Sequence, residues 1–148
     1  MRTIKFRGKR LMVNEWEYGN LITRPDGGCF IETGDLRLVP LQEGTVGQFT
    51  GLHDKNQKEI FEGDIVECCS WNEFFTDKTS GNVMEPFRRK MYVRFCMGGF
   101  KMIEPMPEPM KENAWDIIFN GDVVVIGNIH DTPELLPEYK EQSAQVLS

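Results

Sequence analysis

The chain has 148 residues, of which 40% are hydrophobic and 11% aromatic, and its 17 basic and 23 acidic side chains leave a formal net charge of −6. This length predicts about one domain, and the composition excludes both general disorder and a membrane-spanning segment. The negative charge disfavours nucleic-acid binding driven by overall charge, and residues 1–20 lack the apolar segment of a secretory signal, so we expect a cytoplasmic protein with no membrane partner.

Residues 1–44 predict an antiparallel β-meander. In its first strand apolar and basic residues alternate, which predicts an apolar face directed inward and a basic face directed outward. The apolar residues are Ile4 and Phe6, and the basic ones are Lys5, Arg7 and Lys9. Further strands are predicted from Trp16 to Ile22, from Cys29 to Glu32 and from Leu36 to Leu41, with turn residues between them.

Residues 45–130 predict a small β-barrel of the SH3-like type, with the meander packed on it, so the expected fold class is mainly β. Four turn residues are expected to have structural roles: Gly51, Asp54, Gly63 and Asp64. Gly63 can adopt a positive φ, and Asp64 can accept backbone N–H groups as the chain enters a strand. In the turn at 53–57, Gln57 stands where glycine is favoured, so we expect Asn56 to take any positive φ.

The last predicted strand, from Val123 to His130, begins with four consecutive apolar residues. Such a strand must be covered on both faces, by the meander, by the C-terminal segment or by a second subunit. We favour a second subunit, because burying one valine or isoleucine contributes roughly 1.5 to 3 kcal/mol.

The C-terminal residues predict one short helical turn and a tail. Thr132 is the expected N-cap, Pro133 the first helical residue, and the turn ends near Leu136. The predicted organisation is therefore a meander over 1–44, a barrel over 45–136 and a tail over 137–148, packed as one unit.

The sequence has no recognisable catalytic, metal-binding or cofactor-binding motif. Phosphate-binding loops and nucleophile motifs are absent, and the two histidines, His53 and His130, are expected at a surface turn and a strand end. The cysteines lack the spacing of a zinc knuckle, so we expect four free thiols: Cys29, Cys68, Cys69 and Cys96. We therefore predict a protein that is not an enzyme and that uses no metal or cofactor.

Two groups of residues are candidates for partner contacts. The first group is basic and aromatic, a combination that can contact nucleic acid or the acidic face of a second copy. Its members are Lys5, Arg7, Lys9, Arg88, Arg89, Lys90, Tyr92, Arg94 and Lys101. The second group is an aromatic patch in the long connection at 71–87, made of Trp71, Phe74 and Phe75.

Several segments in combination resemble the YopX family of phage and prophage proteins. These segments are Ile4–Lys9, Trp16–Gly19, Val46–Asp54, Glu59–Val66, Val125–Ile129 and Pro133–Leu136. The resemblance implies a small, mostly β protein encoded by a bacteriophage or a prophage. It implies no known chemistry, because it brings no catalytic residues with it.

The sequence therefore favours a non-enzymatic interaction or assembly protein that forms a homo-oligomer. The alternative is a nucleic-acid-associated regulatory protein that uses the basic and aromatic strand pair at 88–101. The two hypotheses differ in whether the bases at 88–101 lie together with Lys5, Arg7 and Lys9 on one exposed face.

Overall fold

The computed structural model describes residues 3–69, 88–106, 112–116, 123–137 and 139, which form two antiparallel sheets. The first sheet has the order β4-β3-β2-β1-β5-β6. Its strands are β1 (Phe6–Lys9), β2 (Trp16–Thr23), β3 (Cys29–Glu32), β4 (Leu38–Pro40), β5 (Gly47–His53) and β6 (Glu59–Phe61). The second sheet has the order β10-β9-β8-β7-β11. Its strands are β7 (Asp64–Cys69), β8 (Arg88–Cys96), β9 (Gly99–Pro105), β10 (Glu112–Asp116) and β11 (Val123–Asn128).

The mainly β fold is confirmed, but the SH3-like barrel predicted for residues 45–130 is not, because the described strands form two open sheets. β5 pairs antiparallel with β1, with Phe6 opposite Gln48 and Arg7 opposite Gly47. The β5–β6 hairpin therefore extends the N-terminal meander instead of closing a barrel with the strands that follow. An isolated bridge joins Arg10, just after β1, to Leu41, just after β4. Because β1 and β4 are not neighbours in the strand order, this bridge shows that the first sheet curls.

The main hydrophobic core lies on the face of the second sheet that meets the first. Val66, Met91, Val93 and Met102 are buried there, and Ile60 of β6 is buried against them. Met91 and Val93 share this face because side chains two residues apart on a strand point the same way.

A second core covers the opposite face of the second sheet. Ile65, Tyr92 and Ile103 are buried together with Leu136, and Leu135 packs beside them. The chain's own C-terminal segment therefore covers this face, while Val123 of β11 is buried in the main core. Val125 is partly buried against the main core and Ile126 against the second core, so the chain itself supplies part of the cover on both faces of β11. The apolar run at 123–126 therefore does not by itself require a second subunit.

The prediction that the basic face of β1 points outward is wrong. Ile4 is 62% exposed, whereas Arg7 and Lys9 are only 6% and 8% exposed. The basic face of this strand points inward because acidic and aromatic side chains meet it there, as described below.

The helical turn near the C-terminus is present as a 3-10 turn at Pro133–Leu135, with proline at its start. The expected N-cap bond from Thr132 is not formed. Instead the Thr132 hydroxyl accepts the backbone N–H of Asn128 and donates to its carbonyl, each at 3.1 Å. This places the residue beside Gly127, where a Cβ atom would collide with the hydroxyl.

Candidate functional site

A buried ion pair joins the two sheets. Nη2 of Arg7 lies 2.7 Å from Oδ1 of Asp64, and both side chains are more than nine-tenths buried. The Arg7 guanidinium lies between two rings, 4.5 Å from the Trp16 ring centre and 4.9 Å from that of Phe61. Aromatic faces attract a cation electrostatically, so they offset part of the cost of removing this charge from water.

Local geometry at Gly63 places Asp64 in this pair. Gly63 has a φ of +92°, and Oδ2 of Asp64 accepts the backbone N–H of Phe61 at 2.7 Å, the turn geometry that the sequence predicts. Burial raises the pKa of Asp64 despite the opposing effects of Arg7 and of the Phe61 N–H. Asp64 thus closes its own turn with one oxygen and holds Arg7 of the other sheet with the second.

A second, more exposed ion pair lies next to the first. Lys9 pairs with Asp131, and the indole Nε1 of Trp16 donates to Oδ2 of Asp131 at 2.9 Å. Although burial opposes it, hydrogen bonds from Lys9, Asn128 and Trp16 lower the pKa of Asp131 to about 2. We call the group Arg7, Lys9, Trp16, Asp64 and Asp131 the charged seam.

The turn between β5 and β6 makes another link between the sheets. Oδ1 of Asp54 accepts the backbone N–H groups of Asn56 and Lys58 at 2.8 and 2.9 Å, and Oδ2 accepts that of Val125 at 3.0 Å. Burial alone would raise the pKa of Asp54, but these backbone donors lower it. Gly51 has a φ of +87°.

The prediction that Asn56 takes the positive φ in this turn is wrong, since Gln57 itself has a φ of +67°. The three backbone bonds to Asp54 and the Gln57 N–H bond to the Asp54 carbonyl, at 3.0 Å, hold the turn in this form. The turn's hydrogen bonds outweigh the steric preference of a single residue.

Three basic residues of β8 and β9 form cross-strand ion pairs. Arg89 pairs with Glu104 at 2.9 Å, Arg94 pairs with Glu112 at 2.7 Å, and Lys101 pairs with Asp116. We call these three pairs the exposed ladder, because every partner is at least partly open to solvent. The hydrogen bond to Glu112 raises the pKa of Arg94.

The predicted contact residues therefore fall into separate environments. Lys5 pairs with Glu59 at 2.6 Å, and Arg7 and Lys9 lie in the charged seam. Tyr92 is buried, and its hydroxyl accepts a hydrogen bond from Arg94 at 2.9 Å. Lys90 is exposed, and of Arg88 only the backbone is described. Because Arg7 and Lys9 are buried, the bases of β1 do not share one exposed face with the bases whose side chains are described at 88–101.

Other candidate residues from the sequence are less informative. Trp71, Phe74 and Phe75 lie outside the described residues. Cys29 and Cys96 are free thiols, Cys68 is buried, and the side chain of Cys69 lies outside the described residues. The described part of the chain contains no group of His, Cys, Asp and Glu side chains arranged to hold a metal ion. It also contains no helix of the length and apolar character needed to cross a membrane.

A cleft opens beside the charged seam, between the 3-10 turn at Glu43–Thr45 and the segment after β11. A larger part of about 660 Å³ adjoins a smaller part of about 180 Å³. Both parts are lined by Gly44, Ile129, His130 and Tyr139. The larger part is also lined by Lys9, Asn14, Gln42, Thr45 and Pro133. The smaller part is also lined by Val46, Glu62, Gly63, Tyr92, Val93 and Arg94.

The loop between β1 and β2 carries three consecutive exposed apolar side chains. Leu11, Met12 and Val13 are 54%, 89% and 47% exposed, and we call them the apolar loop. The backbone around them is held in place, since Leu11 N–H donates to the Pro40 carbonyl at 3.0 Å and Glu15 N–H donates to the Val13 carbonyl at 2.8 Å. The sequence-based prediction did not include this loop, although the three adjacent apolar letters are visible in the sequence.

The model of the YopX protein family matches residues 5–137, which is most of the chain. The chain belongs to the YopX family. The YopX fold is also similar to the crystal structure of protein EF1440 from Enterococcus faecalis, with a TM-score of 0.53 and 23% sequence identity. The similarity covers 92% of this YopX chain and 99% of the other, and at this identity it shows the fold alone. A search of curated proteins found no match.

Proposed function

We propose that this YopX protein is a non-enzymatic interaction or assembly protein of a phage or prophage, that it acts in the cytoplasm of the host, and that it associates with copies of itself. The observation that carries this proposal is the apolar loop. Single exposed apolar residues are common on protein surfaces, but three in succession at the tip of a held loop are typical of a contact surface.

The buried charged residues weigh against a chemical role. Arg7, Asp64 and Asp54 are buried, and each is engaged in bonds that link parts of the fold. Groups used in this way stabilise structure, whereas a catalytic acid or base must reach the substrate.

Nucleic-acid binding through the strand pair at 88–101 is the competing function, and the exposed ladder weighs against it. Each of Arg89, Arg94 and Lys101 has a carboxylate beside it. A phosphate would have to compete with those carboxylates, so the net attraction of this surface for a polyanion is small.

The test is the molar mass in solution of the wild type and of the triple variant Leu11→Ser/Met12→Ser/Val13→Ser, measured by light scattering over a wide concentration range. We expect the wild type to exceed the monomer mass of 17.1 kDa and the triple variant to remain at it. The matched control is Leu36→Ser/Met97→Ser, which removes two other side chains exposed at 77% and 75% and should leave the mass unchanged.

A wild type that stays monomeric at the highest concentration would contradict self-association. Binding of the wild type to single-stranded DNA that weakens steeply with salt and disappears in Lys90→Glu/Lys101→Glu would establish the competing function instead.

A further inference from the structure

We propose that the cleft binds a small organic cation, a ligand that carries an amine or guanidinium group on a compact apolar body. The Glu62 carboxylate receives the charged group, and the apolar body lies against Tyr139 and Ile129. This site goes beyond the proposed self-association and does not depend on it, because the apolar loop does not line the cleft.

The size and the lining of the cleft suit a small ligand with both polar and apolar groups. Its larger part of about 660 Å³ lies within the range of roughly 300 to 1,000 Å³ that is usual for ligand pockets. Ile129, Pro133 and Val46 contribute apolar walls, whereas Gln42 and Glu62 contribute an amide and a carboxylate. A few polar groups among apolar walls orient a ligand as well as enclose it.

The lysine and the arginine that line the cleft are already paired within the fold. Lys9 pairs with Asp131, and the two Nη atoms of Arg94 bond to the Glu112 carboxylate at 2.7 and 3.2 Å. An anion in the cleft would have to compete with these carboxylates for the same cations. The basic residues of the cleft therefore do not favour a phosphate or carboxylate ligand.

Glu62 has a carboxylate with unused hydrogen-bonding capacity. The residue is half-buried, and its Oε1 accepts one backbone N–H, that of Gln48, at the long distance of 3.4 Å. Within the described part of the chain, no lysine or arginine forms an ion pair with it. Hydrogen bonds between a cation and a carboxylate are roughly twice as strong as those between neutral groups. An ammonium or guanidinium group is the ligand chemistry that supplies them.

Gln42 adds a second acceptor to the cleft. Its Nε2 donates to the Arg10 carbonyl at 3.0 Å, which fixes the orientation of the amide and leaves Oε1 to accept from a ligand. The Thr45 hydroxyl is occupied, because it accepts the Lys9 backbone N–H at 2.9 Å and donates to the Gln42 carbonyl at 2.7 Å. Asn14 is exposed, so its amide stays in contact with water. A ligand rich in donors therefore matches what these walls still offer.

Tyr139 supplies an aromatic surface for the body of the ligand. It lines both parts of the cleft, and its ring lies 4.9 Å from that of Tyr92, which lines the smaller part. Aromatic rings pack against flat apolar groups and attract a cation to their faces. Because Ile129 also lines both parts, one ligand can extend from the larger part to Glu62 in the smaller part.

Three probes of nearly equal shape test the charge preference. At neutral pH benzylamine is a cation, benzyl alcohol is neutral and benzoate is an anion. Each probe is titrated into the wild type while the backbone amide chemical shifts are recorded. We expect benzylamine to bind at least about tenfold more tightly than either of the others, with the largest shifts at Gly44, Glu62 and His130.

Removing the charge of Glu62 tests its role. Glu62→Gln keeps an oxygen that can accept the Gln48 N–H, so the fold should be retained while the preference for benzylamine falls to within about twofold. The matched control is Glu134→Gln, which removes the charge of an exposed carboxylate that does not line the cleft. This control should keep the full preference.

Narrowing the cleft tests the place of binding. A Cβ atom added at Gly44 meets no atom within 4 Å, so Gly44→Trp adds a ring at the wall of the cleft without a backbone collision. Gly34 is equally open but does not line the cleft, which makes Gly34→Trp the matched control. We expect Gly44→Trp to weaken benzylamine binding at least about tenfold and Gly34→Trp to leave it within about twofold.

Four results would overturn this inference. Tighter binding of benzoate than of benzylamine would show that the cleft takes an anion, and a preference for benzylamine that survives Glu62→Gln would exclude Glu62 as the receiving group. Binding that is unchanged in Gly44→Trp would lie outside the cleft, and failure of all three probes to shift the cleft amides would exclude the site. A wild type that stays monomeric would contradict self-association without bearing on any of these results.

Discussion

Strand β1 and the strand pair β8–β9 both carry basic residues among apolar and aromatic ones, yet their charges lie in different surroundings. Arg7 of β1 is buried between two rings and pairs with Asp64, which is 57 residues away in the sequence. Arg94 of β8 lies partly open to solvent and pairs with Glu112, which is 18 residues away.

The difference teaches that basic residues alternating along a strand do not reveal which face is exposed. A strand face is buried when another element supplies the groups that satisfy it, whether those groups are apolar or charged. In β1 these groups are Trp16, Phe61, Asp64 and Asp131. In β8 and β9, other strands of the same sheet supply acidic partners to bases that remain partly exposed. The same substitution should therefore have very different effects in the two places.

The largest expected difference in the free energy of unfolding is that between Arg7→Met and Arg94→Met. Arg7→Met leaves the Asp64 carboxylate buried without its cation, so the free energy of unfolding should fall by about 3 to 5 kcal/mol. Arg94→Met removes a partly exposed pair and should cost less than about 1 kcal/mol. Urea unfolding of both variants checks this, and equal losses would show that burial does not distinguish the two strands.

A smaller loss of stability is expected when the Asp64 carboxylate, which Arg7→Met leaves without a cation, is removed as well. In Arg7→Met/Asp64→Asn the amide oxygen can still accept the Phe61 N–H, but no charge remains buried. The double variant should therefore be more stable than Arg7→Met by roughly 1 to 3 kcal/mol, the usual cost of leaving a buried polar group without its partner. A double variant less stable than Arg7→Met would mean that the charge of Asp64 was not the cause of the loss.

The ion pair between Lys9 and Asp131 should make the free energy of unfolding depend on pH. A carboxyl group with a lowered pKa in the folded state stabilises the fold fully above its unfolded value, and this stabilisation is lost as pH falls through the folded value. For Asp131 the window runs from 3.8 down to about 2.

Because the Asp131 side chain is 37% exposed, we expect a contribution of about 1 kcal/mol. Asp131→Asn should lower the free energy of unfolding by that amount at neutral pH. The difference from the wild type should disappear as the pH falls to about 2. Parallel stability curves across this range, recorded by thermal melts, would contradict the assignment.

The smallest expected effect is the salt-dependent loss of stability when an ion pair of the exposed ladder is removed. Lys101 pairs with Asp116 at the surface, so Lys101→Ala should cost only a few tenths of a kcal/mol at low salt. Since about 1 M salt reduces the screening length to roughly 3 Å, this difference should disappear there. Arg7→Met should keep its full loss under the same conditions, and a loss that salt removes equally in both variants would erase the contrast between the strands.

Much of the secondary structure was predictable from local patterns. The strand predicted at Cys29–Glu32 is observed with the same bounds, and the strand predicted from Trp16 to Ile22 extends one residue further, to Thr23. Alternation of side chains and the positions of glycine and proline act within a few residues, so a sequence displays them directly. The turn at Gly63 and Asp64 was predictable for the same reason.

The candidate sites were less predictable because they depend on residues that are distant in the sequence. The apolar loop is visible as Leu11-Met12-Val13, but apolar letters alone do not tell an exposed tip from a buried strand. The cleft needs the turn at Glu43–Thr45 and the segment after β11 to face each other, and no local pattern encodes that approach.

By itself, the sequence determined the mainly β class, most strand positions, the acceptor role of Asp64 and the resemblance to the YopX family. Only the tertiary structure decided that β5 and β6 join the first sheet, that the C-terminal segment covers the second, and that Arg7 points inward. The physical reason is that strand formation follows from local stereochemistry, whereas the buried face of a strand depends on which distant groups can satisfy it. For Arg7 those groups are one carboxylate and two aromatic rings, brought together only when the sheets meet.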